Sequence, residues 1–182
     1  MNKARPVSHS QTTITELMIP SYANFGGKIH GGIILSLMDK VAYACATRHA
    51  GTYCVTVSVE GVNFMSPINV GELVSLLASV NYVGNSSLVI GIRVVSENIS
   101  SGEKIHTNTS YFTMVAKGAD GKPVTVPELI LENDEDIRRF LEAVKRKELK
   151  TLYKDDFDNS ITSLKIHDNL NLLINERCQI KK

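Results

Sequence analysis

The fold is decided by the stretch from Ile29 to Gly51, which reads IHGGIILSLMDKVAYACATRHAG. We predict one long helix over 29–50, opened by His30-Gly31-Gly32 and closed by Gly51. Its apolar residues cover most of the helical circumference, which is too much for a helix that rests on a surface. They are Ile33, Ile34, Leu37, Met38, Val41, Ala42, Ala44 and Cys45. We therefore expect a buried helix around which the rest of the chain is arranged.

The polar residues of this stretch recur at spacings of three and four and therefore lie along one stripe of the helix. They are Ser36, Asp39, Lys40, Tyr43 and Thr47. At the start of the helix, Gly31 and Gly32 leave backbone amides open to a ligand, since no Cβ atom is in the way. A helix N-terminus of this kind favours an oxygen atom that carries negative charge.

Segments on both sides of the helix have the composition and alternation of strands. The candidates are residues 12–19, 53–60, 72–83, 87–97 and 103–117. The tight connection at Gly84-Asn85 predicts that two of these strands form an antiparallel hairpin. One strand, a long apolar helix and four further strands predict an α+β architecture, in which a curved antiparallel sheet wraps around the helix.

The composition divides the chain into three parts. Residues 1–11 are basic, rich in hydroxyl groups and without acids, and we expect them to be disordered. Residues 12–127 form the predicted domain. Residues 128–182 are far more densely charged, with 12 acids and 11 bases against 7 and 9 in residues 1–127. We expect this C-terminal extension to be partly helical, with a helix over 133–150 that has one apolar stripe and therefore docks on another surface.

The composition also restricts which binding partners and which cellular compartment we expect. A net charge of +1 gives no indication of a nucleic-acid partner. No apolar run approaches the ~20 residues that span a bilayer, so we expect no membrane partner and a cytoplasmic location. Cys45, Cys54 and Cys178 have neither metal-ligand spacing nor the pattern of a disulfide framework, which indicates a reducing compartment and no metal site.

Several short motifs resemble those of the hotdog-fold acyl-CoA thioesterases, in particular the acyl-CoA hydrolase group. Any one of them is weak, but their order and spacing make a specific set that spans residues 12–127 and leaves the extension uncovered. The motifs are Asn24-Phe25-Gly26-Gly27 before His30-Gly31-Gly32, Met38-Asp39, Val57-Ser58-Val59-Glu60-Gly61-Val62-Asn63-Phe64, Pro67 with Val70-Gly71-Glu72, Gly84-Asn85-Ser86-Ser87, Met114-Val115-Ala116 and Gly121-Lys122-Pro123.

The resemblance implies hydrolysis of fatty acyl-CoA to free acid and CoA at an active site built at a dimer interface. It also makes a trimer of dimers plausible, and it implies no cofactor, since CoA is part of the substrate. By the family pattern, Asp39 activates or orients the attacking water and Asn24 helps to place the water or the thioester. The backbone amides of Gly31 and Gly32 polarise the carbonyl group.

The resemblance further suggests which residues contact the substrate: His30, Gly31, Gly32, Ser58, Asn85, Ser86, Ser87, Lys117 and Lys122. The chain departs from the family at two of these places. Ser58 stands where many relatives carry an arginine or a lysine, and the Gly-Asn-Ser-Ser loop is less basic than other versions. Lys117 or Lys122 is then a candidate for the contact with a CoA phosphate.

The chemistry imposes a geometric condition of its own. Thioester hydrolysis needs donors that face the developing oxyanion and a base for water. Asp39 lies eight residues beyond Gly31, which at 1.5 Å per residue places it ~12 Å down the same helix. If both residues act on one carbonyl they must come from different subunits, which predicts an obligate dimer with antiparallel helices across a two-fold axis.

Other interpretations of the same residues remain open. Asp39 beside Lys40 also suits a solvated helix surface, Asn24 suits a turn, and His30 suits a helix cap better than a general base. The alternative function is a non-catalytic module that binds or senses acyl-CoA on the same fold. A dehydratase, which pairs a histidine with an acid near the helix, is supported only by His30.

Overall fold

The computed structural model describes residues 3–181, which fall into two compact units that meet in sequence at Ala143 and Val144. The first unit contains β1 (Arg5–Pro6), α1 (Val7–Ser10), β2 (Thr12–Leu17), a 3-10 turn (Pro20–Tyr22), α2 (Gly31–Ala50), β3 (Cys54–Val59), β4 (Leu73–Val83), β5 (Ser87–Glu97), β6 (Lys104–Ala116) and β7 (Leu129–Ile130). A last helix, α3 (Asp134–Ser163), starts in the first unit and ends in the second.

Five of the strands form an antiparallel sheet in the order β2-β4-β5-β6-β3, and α2 packs against one of its faces. The predicted hairpin is confirmed, because β4 and β5 are paired from Leu73 with Glu97 to Val83 with Leu88. This is the α+β hotdog architecture expected from the sequence. The strand order puts β3 at one edge of the sheet, next to β6 only.

The central helix buries one face, which forms the core together with the inner side chains of the sheet, whereas Leu35 and Tyr43 on its other side are exposed. Met38, Val41, Ala42 and Cys45 are inaccessible to solvent. Burying a side chain of the size of valine or methionine contributes about 1.5–3 kcal/mol, so this face of α2 carries much of the stability of the domain. The helix ends at Gly51, whose φ of 72° suits a residue without a Cβ atom.

The alternation predicted for the edge strand β3 does not continue along the whole strand, and two of its valines are exposed. Val57 is 56% exposed and Val59 46% exposed, whereas Cys54 is buried against the core. A β-bulge shifts the register between Thr56 and Ser58. In the single chain, apolar side chains of β3 and one edge of this strand are therefore open to solvent. Exposed strand edges of this kind can pair with another chain.

The expectation of disorder over residues 1–11 differs from the structure wherever the structure describes them; Met1 and Asn2 lie outside the described residues. Residues 5–6 pair in parallel with β7, Val7 and Ser10 are buried, and the Arg5 guanidinium donates to the carbonyls of Arg48 and His49. These partners are more than forty residues away in the sequence, so the local composition contains no sign of them.

The first unit also extends beyond the predicted domain end at residue 127. Ala143 on α3 is buried, and the ring of Phe140 lies 5.2 Å from that of Tyr82 on β4, centroid to centroid. Of the predicted apolar stripe, Phe140 packs in this way, whereas Ile137 and Leu141 are exposed. The first turns of α3 belong to the hotdog unit. Asn133 caps the helix, because its Oδ1 accepts a hydrogen bond from the backbone N–H of Asp136 at 3.0 Å.

The second unit contains the rest of α3, which runs 13 residues beyond the predicted end at 150, and a 3-10 helix (His167–Leu173). Large apolar side chains along this part of α3 are exposed, including Leu149, Tyr153, Phe157 and Ile161. The rings of Tyr153 and Phe157 stack with centroids 5.9 Å apart. Over residues 3–181, no helix combines the length and the apolarity needed to cross a membrane.

Candidate active site

The centre of the candidate site is a hydrogen bond between α2 and β3. Asp39 lies on the exposed polar stripe of α2, and its Oδ1 accepts a hydrogen bond from Thr56 Oγ1 at 2.6 Å. The Thr56 hydroxyl also lies 3.2 Å from Met114 Sδ, but its single proton favours the carboxylate because a charged acceptor is the stronger one. Within residues 3–181 no other group bonds to this carboxylate, so Oδ2 is open to water.

Thr56 is the residue that sequence reasoning missed. It lies 17 positions beyond Asp39, in a strand whose alternation places threonine on either face with equal ease. Thr56 pairs with Met114 of β6 before the β-bulge, and its contact with Asp39 depends on the placement of β3 beside α2. The neighbouring Ser58, which the resemblance offers for CoA, lies on the same strand beyond the bulge.

The helix tip offers one open amide rather than the two expected. His30 is the N-cap of α2, and its Nδ1 accepts a hydrogen bond from the Gly32 N–H at 2.9 Å. The Gly32 amide is therefore occupied, whereas the Gly31 N–H has no hydrogen-bond partner among the described residues. A Cβ atom at position 31 would lie 3.0 Å from the ring of Phe64, so the glycine allows this ring to lie against the helix tip.

Asn24 has the turn-forming role that its loop suggests, and it keeps an open donor as well. Its side-chain Oδ1 accepts hydrogen bonds from the backbone N–H groups of Gly26 and Lys28, at 2.9 and 3.2 Å. The side chain is exposed, and no described residue bonds to its Nδ2. The structure thus holds this side chain in a fixed orientation with its amide N–H groups facing outward.

The residues proposed for the CoA end form a separate group, at the β4–β5 turn and the loop after β6. The carbonyls of Asn85 and Ser86 accept from Val126 N–H and Ala116 N–H, both at 2.9 Å. Lys117 pairs with Pro123 across that loop, and the Lys122 N–H donates to Asp120 Oδ1 at 3.0 Å. The structure brings Asn85, Ser86, Ser87, Lys117 and Lys122 to one end of the sheet.

Within one chain these groups stay apart. Gly31 and Asp39 lie on the same continuous helix, so the ~12 Å separation deduced from the sequence holds in the folded protein. No single carbonyl reaches both residues of the same chain. This separation is the one from which the sequence predicts an active site shared between two subunits.

Nearby thiols are poor nucleophiles. Burial raises the pKa of Cys45 on α2 to about 12, and burial also raises the pKa of Cys54 on β3. Both side chains therefore remain protonated at neutral pH, and a thiol attacks far more slowly than a thiolate. Over residues 3–181, His, Cys, Asp and Glu side chains do not group in threes as metal ligands would.

Comparison with known proteins finds relatives that cover most of the chain. Residues 26–103 match the family model of the thioesterase superfamily. The protein VdlD of Helicobacter pylori is 50% identical over 135 residues, which cover 74% of this chain and 77% of that protein. The cytosolic acyl coenzyme A thioester hydrolase of Rattus norvegicus is 33% identical over 138 residues, covering 75% of this chain and 36% of that protein.

Two solved structures extend the comparison to three dimensions. A hexameric acyl-CoA thioesterase is 35% identical, with a TM-score of 0.81, over 84% of this chain and 97% of that one. The acyl-CoA hydrolase of Staphylococcus aureus, solved with butyryl coenzyme A, coenzyme A and coenzyme A disulfide, is 26% identical, with a TM-score of 0.79, over 87% and 97%. Variants of that hydrolase with alanine in place of one aspartate, one threonine and one asparagine are also solved.

The fold, the match over residues 26–103 and the identity to these proteins agree with one another. The chain belongs to the thioesterase superfamily of hotdog proteins, and acyl-CoA thioester hydrolases are among its homologues.

Proposed function

We propose that the protein hydrolyses acyl-CoA thioesters to a carboxylic acid and CoA, with Asp39 as the base for water. The observation that carries the proposal is the hydrogen bond from Thr56 to Asp39 Oδ1, which holds one carboxylate oxygen and leaves the other open. A carboxylate fixed in this way lies ready to accept a proton from a water molecule on its free side. Water attacks the thioester carbon, its proton goes to Asp39, and the C–S bond breaks to release the CoA thiolate, which takes up a proton.

The homologous hydrolase supports the choice of residues. In the Staphylococcus aureus enzyme, the replaced asparagine precedes the replaced aspartate by 15 positions, and the aspartate precedes the threonine by 17. Asn24, Asp39 and Thr56 of this chain have the same two intervals. We infer that the three residues act together here, with the open Nδ2 of Asn24 orienting the water or the thioester.

The oxyanion donor in this proposal is the Gly31 amide. It is the open N–H group at the N-terminus of a 20-residue helix, where backbone dipoles favour negative charge. Since Asp39 of the same chain lies ~12 Å away, each reaction centre combines Gly31 of one subunit with Asp39 of another. The exposed apolar face of β3 at the sheet edge offers a surface for that dimer, and the hexameric homologue supports a higher homo-oligomer.

The CoA end of the substrate is assigned to the second group of residues. The group formed by Asn85–Ser87, Lys117 and Lys122 combines hydroxyl donors with two cations, which suits phosphate oxygens. Ser58 and His30 lie on the elements that carry Thr56 and Gly31, on the side of the thioester. In this proposal His30 contributes through the helix cap, since its Nδ1 is already engaged.

The test is the release of free CoA from acyl-CoAs of several chain lengths, measured for the parent protein and for Asp39→Asn. The variant keeps the size of the side chain and its hydrogen bond from Thr56 but loses the base, so kcat should fall by about 10²- to 10⁴-fold. Lys40→Gln, next to it on the exposed stripe, is the matched control and should hydrolyse at the parent rate. Acyl-CoA binding without turnover by the parent protein would instead support the non-catalytic module.

A further inference from the structure

A cleft of about 580 Å³ lies between the outer face of the sheet and the first turns of α3. Its floor includes Ser79 and Asn81 of β4, which alternate with the core residue Val80 and therefore face away from α2. None of the residues assigned to the thioester or to CoA lines it. The volume is in the range of pockets that hold small molecules.

A chain of hydrogen bonds orients the donor groups of this cleft. Arg139 Nη1 of α3 donates to Ser79 Oγ at 3.2 Å, and Ser79 Oγ lies 3.0 Å from Asn81 Oδ1. Because arginine can only donate, the Ser79 oxygen accepts from it and gives its own proton to Asn81 Oδ1. The Nδ2 group of Asn81 is thus left as a donor, and it has no hydrogen-bond partner among residues 3–181.

The neighbouring strand β5 has a glycine, Gly91, opposite the side-chain amide of Asn81. A Cβ atom at Gly91 would come within 2.3 Å of Asn81 Nδ2, so only glycine lets the amide lie flat over β5. Asn81 itself is 5% exposed, so its amide has little contact with bulk water. A ligand that accepts a hydrogen bond from this amide would give the donor a partner at the floor of the cleft.

The second donor is Arg93, two residues beyond Gly91 on the same face of β5, about 7 Å along the strand. It lies between Leu77 and Thr109 in the sheet, and in the part of the chain that the structure describes it has neither an ion pair nor a hydrogen bond. The other two arginines of the cleft are engaged: Arg138 with Glu135 and Glu142, and Arg139 with Glu135 and Ser79. Of the three arginines that line the cleft, Arg93 is therefore the one available to pair with a ligand.

We propose that this cleft binds a compact anion, a carboxylate or a phosphate, held between the guanidinium of Arg93 and the amide of Asn81. Both side chains line the same cleft and offer N–H donors from the same side of the sheet, as an anionic group with several oxygens requires. The three arginines of the lining outnumber its two glutamates, which favours a negative ligand. The site lies on the opposite face of the sheet from Asp39 and does not depend on the proposed hydrolysis.

The experiment titrates the full-length protein with inorganic phosphate and, separately, with succinate, by calorimetry at ionic strength held constant with sodium chloride. We expect saturable binding of at least one of them and a rise in the thermal unfolding midpoint at saturation. Binding of one anion alone identifies the class of ligand. No saturable heat with either anion would overturn the proposal.

The variant Arg93→Gln tests the site itself. Arg93 is exposed, so this variant should fold normally, and we expect its affinity for the anion to fall at least tenfold. Lys104→Gln removes a cation from the outer end of β6 and is the matched control, which should bind as the parent does. Asn81→Asp, which replaces donors with acceptors, should also lose binding. Unchanged affinity of Arg93→Gln, or an equal loss in Lys104→Gln, would refute the proposed site.

Discussion

At the scale of single residues, the role of Thr56 is the sharpest consequence of the structure. Its hydroxyl donates to Asp39 Oδ1 at 2.6 Å, and a hydrogen bond to a charged group typically contributes about 1.5–3 kcal/mol. If this bond orients the base, Thr56→Val should lower kcat for acyl-CoA hydrolysis by about tenfold or more while KM changes little. Thr56→Ser, which keeps the hydroxyl, should retain most of the activity. Equal loss in both variants would mean that a hydroxyl group at position 56 is not enough for activity, and would contradict this role of the hydrogen bond.

At the scale of elements, the C-terminus of α2 contains a buried histidine. His49 is inaccessible to solvent, and its Nε2 lies 3.1 Å from the Pro127 carbonyl. Burial is the largest effect and lowers the pKa of His49; the hydrogen bond to the Pro127 carbonyl raises it, and the nearby charges of Arg5 and His9 lower it, so that the net shift is downward. His49 is therefore neutral in the folded state. Its contact with Pro127 connects the C-terminus of α2 to the segment that leads into β7.

This histidine should make the stability of the protein depend on pH. The unfolded chain takes up a proton at His49 below about pH 6.5, while the folded chain, with its lowered pKa, does not. Stability is then complete above that pH and is lost as the pH falls, by up to about 1.4 kcal/mol per pH unit. Denaturant unfolding between pH 7.5 and 5.5 should show this slope, and His49→Gln should flatten it. His167→Gln, at an exposed position, is the control and should keep the slope of the parent.

At the scale of the whole molecule, the separation of Gly31 and Asp39 predicts sites shared between subunits. We expect two variants to be inactive: Asp39→Asn lacks the base, and the side chain of Gly31→Val crowds the helix tip against Phe64. The two can be denatured together and refolded. Random pairing gives half mixed dimers, each with one intact site of two, so about a quarter of the parent activity should return. Each variant refolded alone is the control. No recovery from mixtures in which mixed dimers are demonstrated by mass spectrometry would mean that each chain carries its own complete site.

How much could be predicted depends on the range of the interactions involved. The buried helix and the β4–β5 hairpin followed from periodicity and turn residues, since these features depend on neighbours a few positions away. Residues 5–10 were expected to be disordered because their stabilising partners, at Arg48, His49 and β7, are distant in the chain. The family motif points to Asp39, whereas the role of Thr56 depends on the placement of β3 beside α2, 17 positions away in the sequence.

The sequence by itself determined the architecture, because the apolar coverage of residues 29–50 and the alternation of the strands leave few ways to bury the helix. It also determined that Gly31 and Asp39 of one chain cannot meet, since helix geometry sets the distance between them. Only the tertiary structure decided that Thr56 holds Asp39, that His30 occupies the Gly32 amide, and that Asn81 and Arg93 face one cleft. These contacts join segments whose relative placement depends on strand register and packing, which short stretches of sequence do not encode.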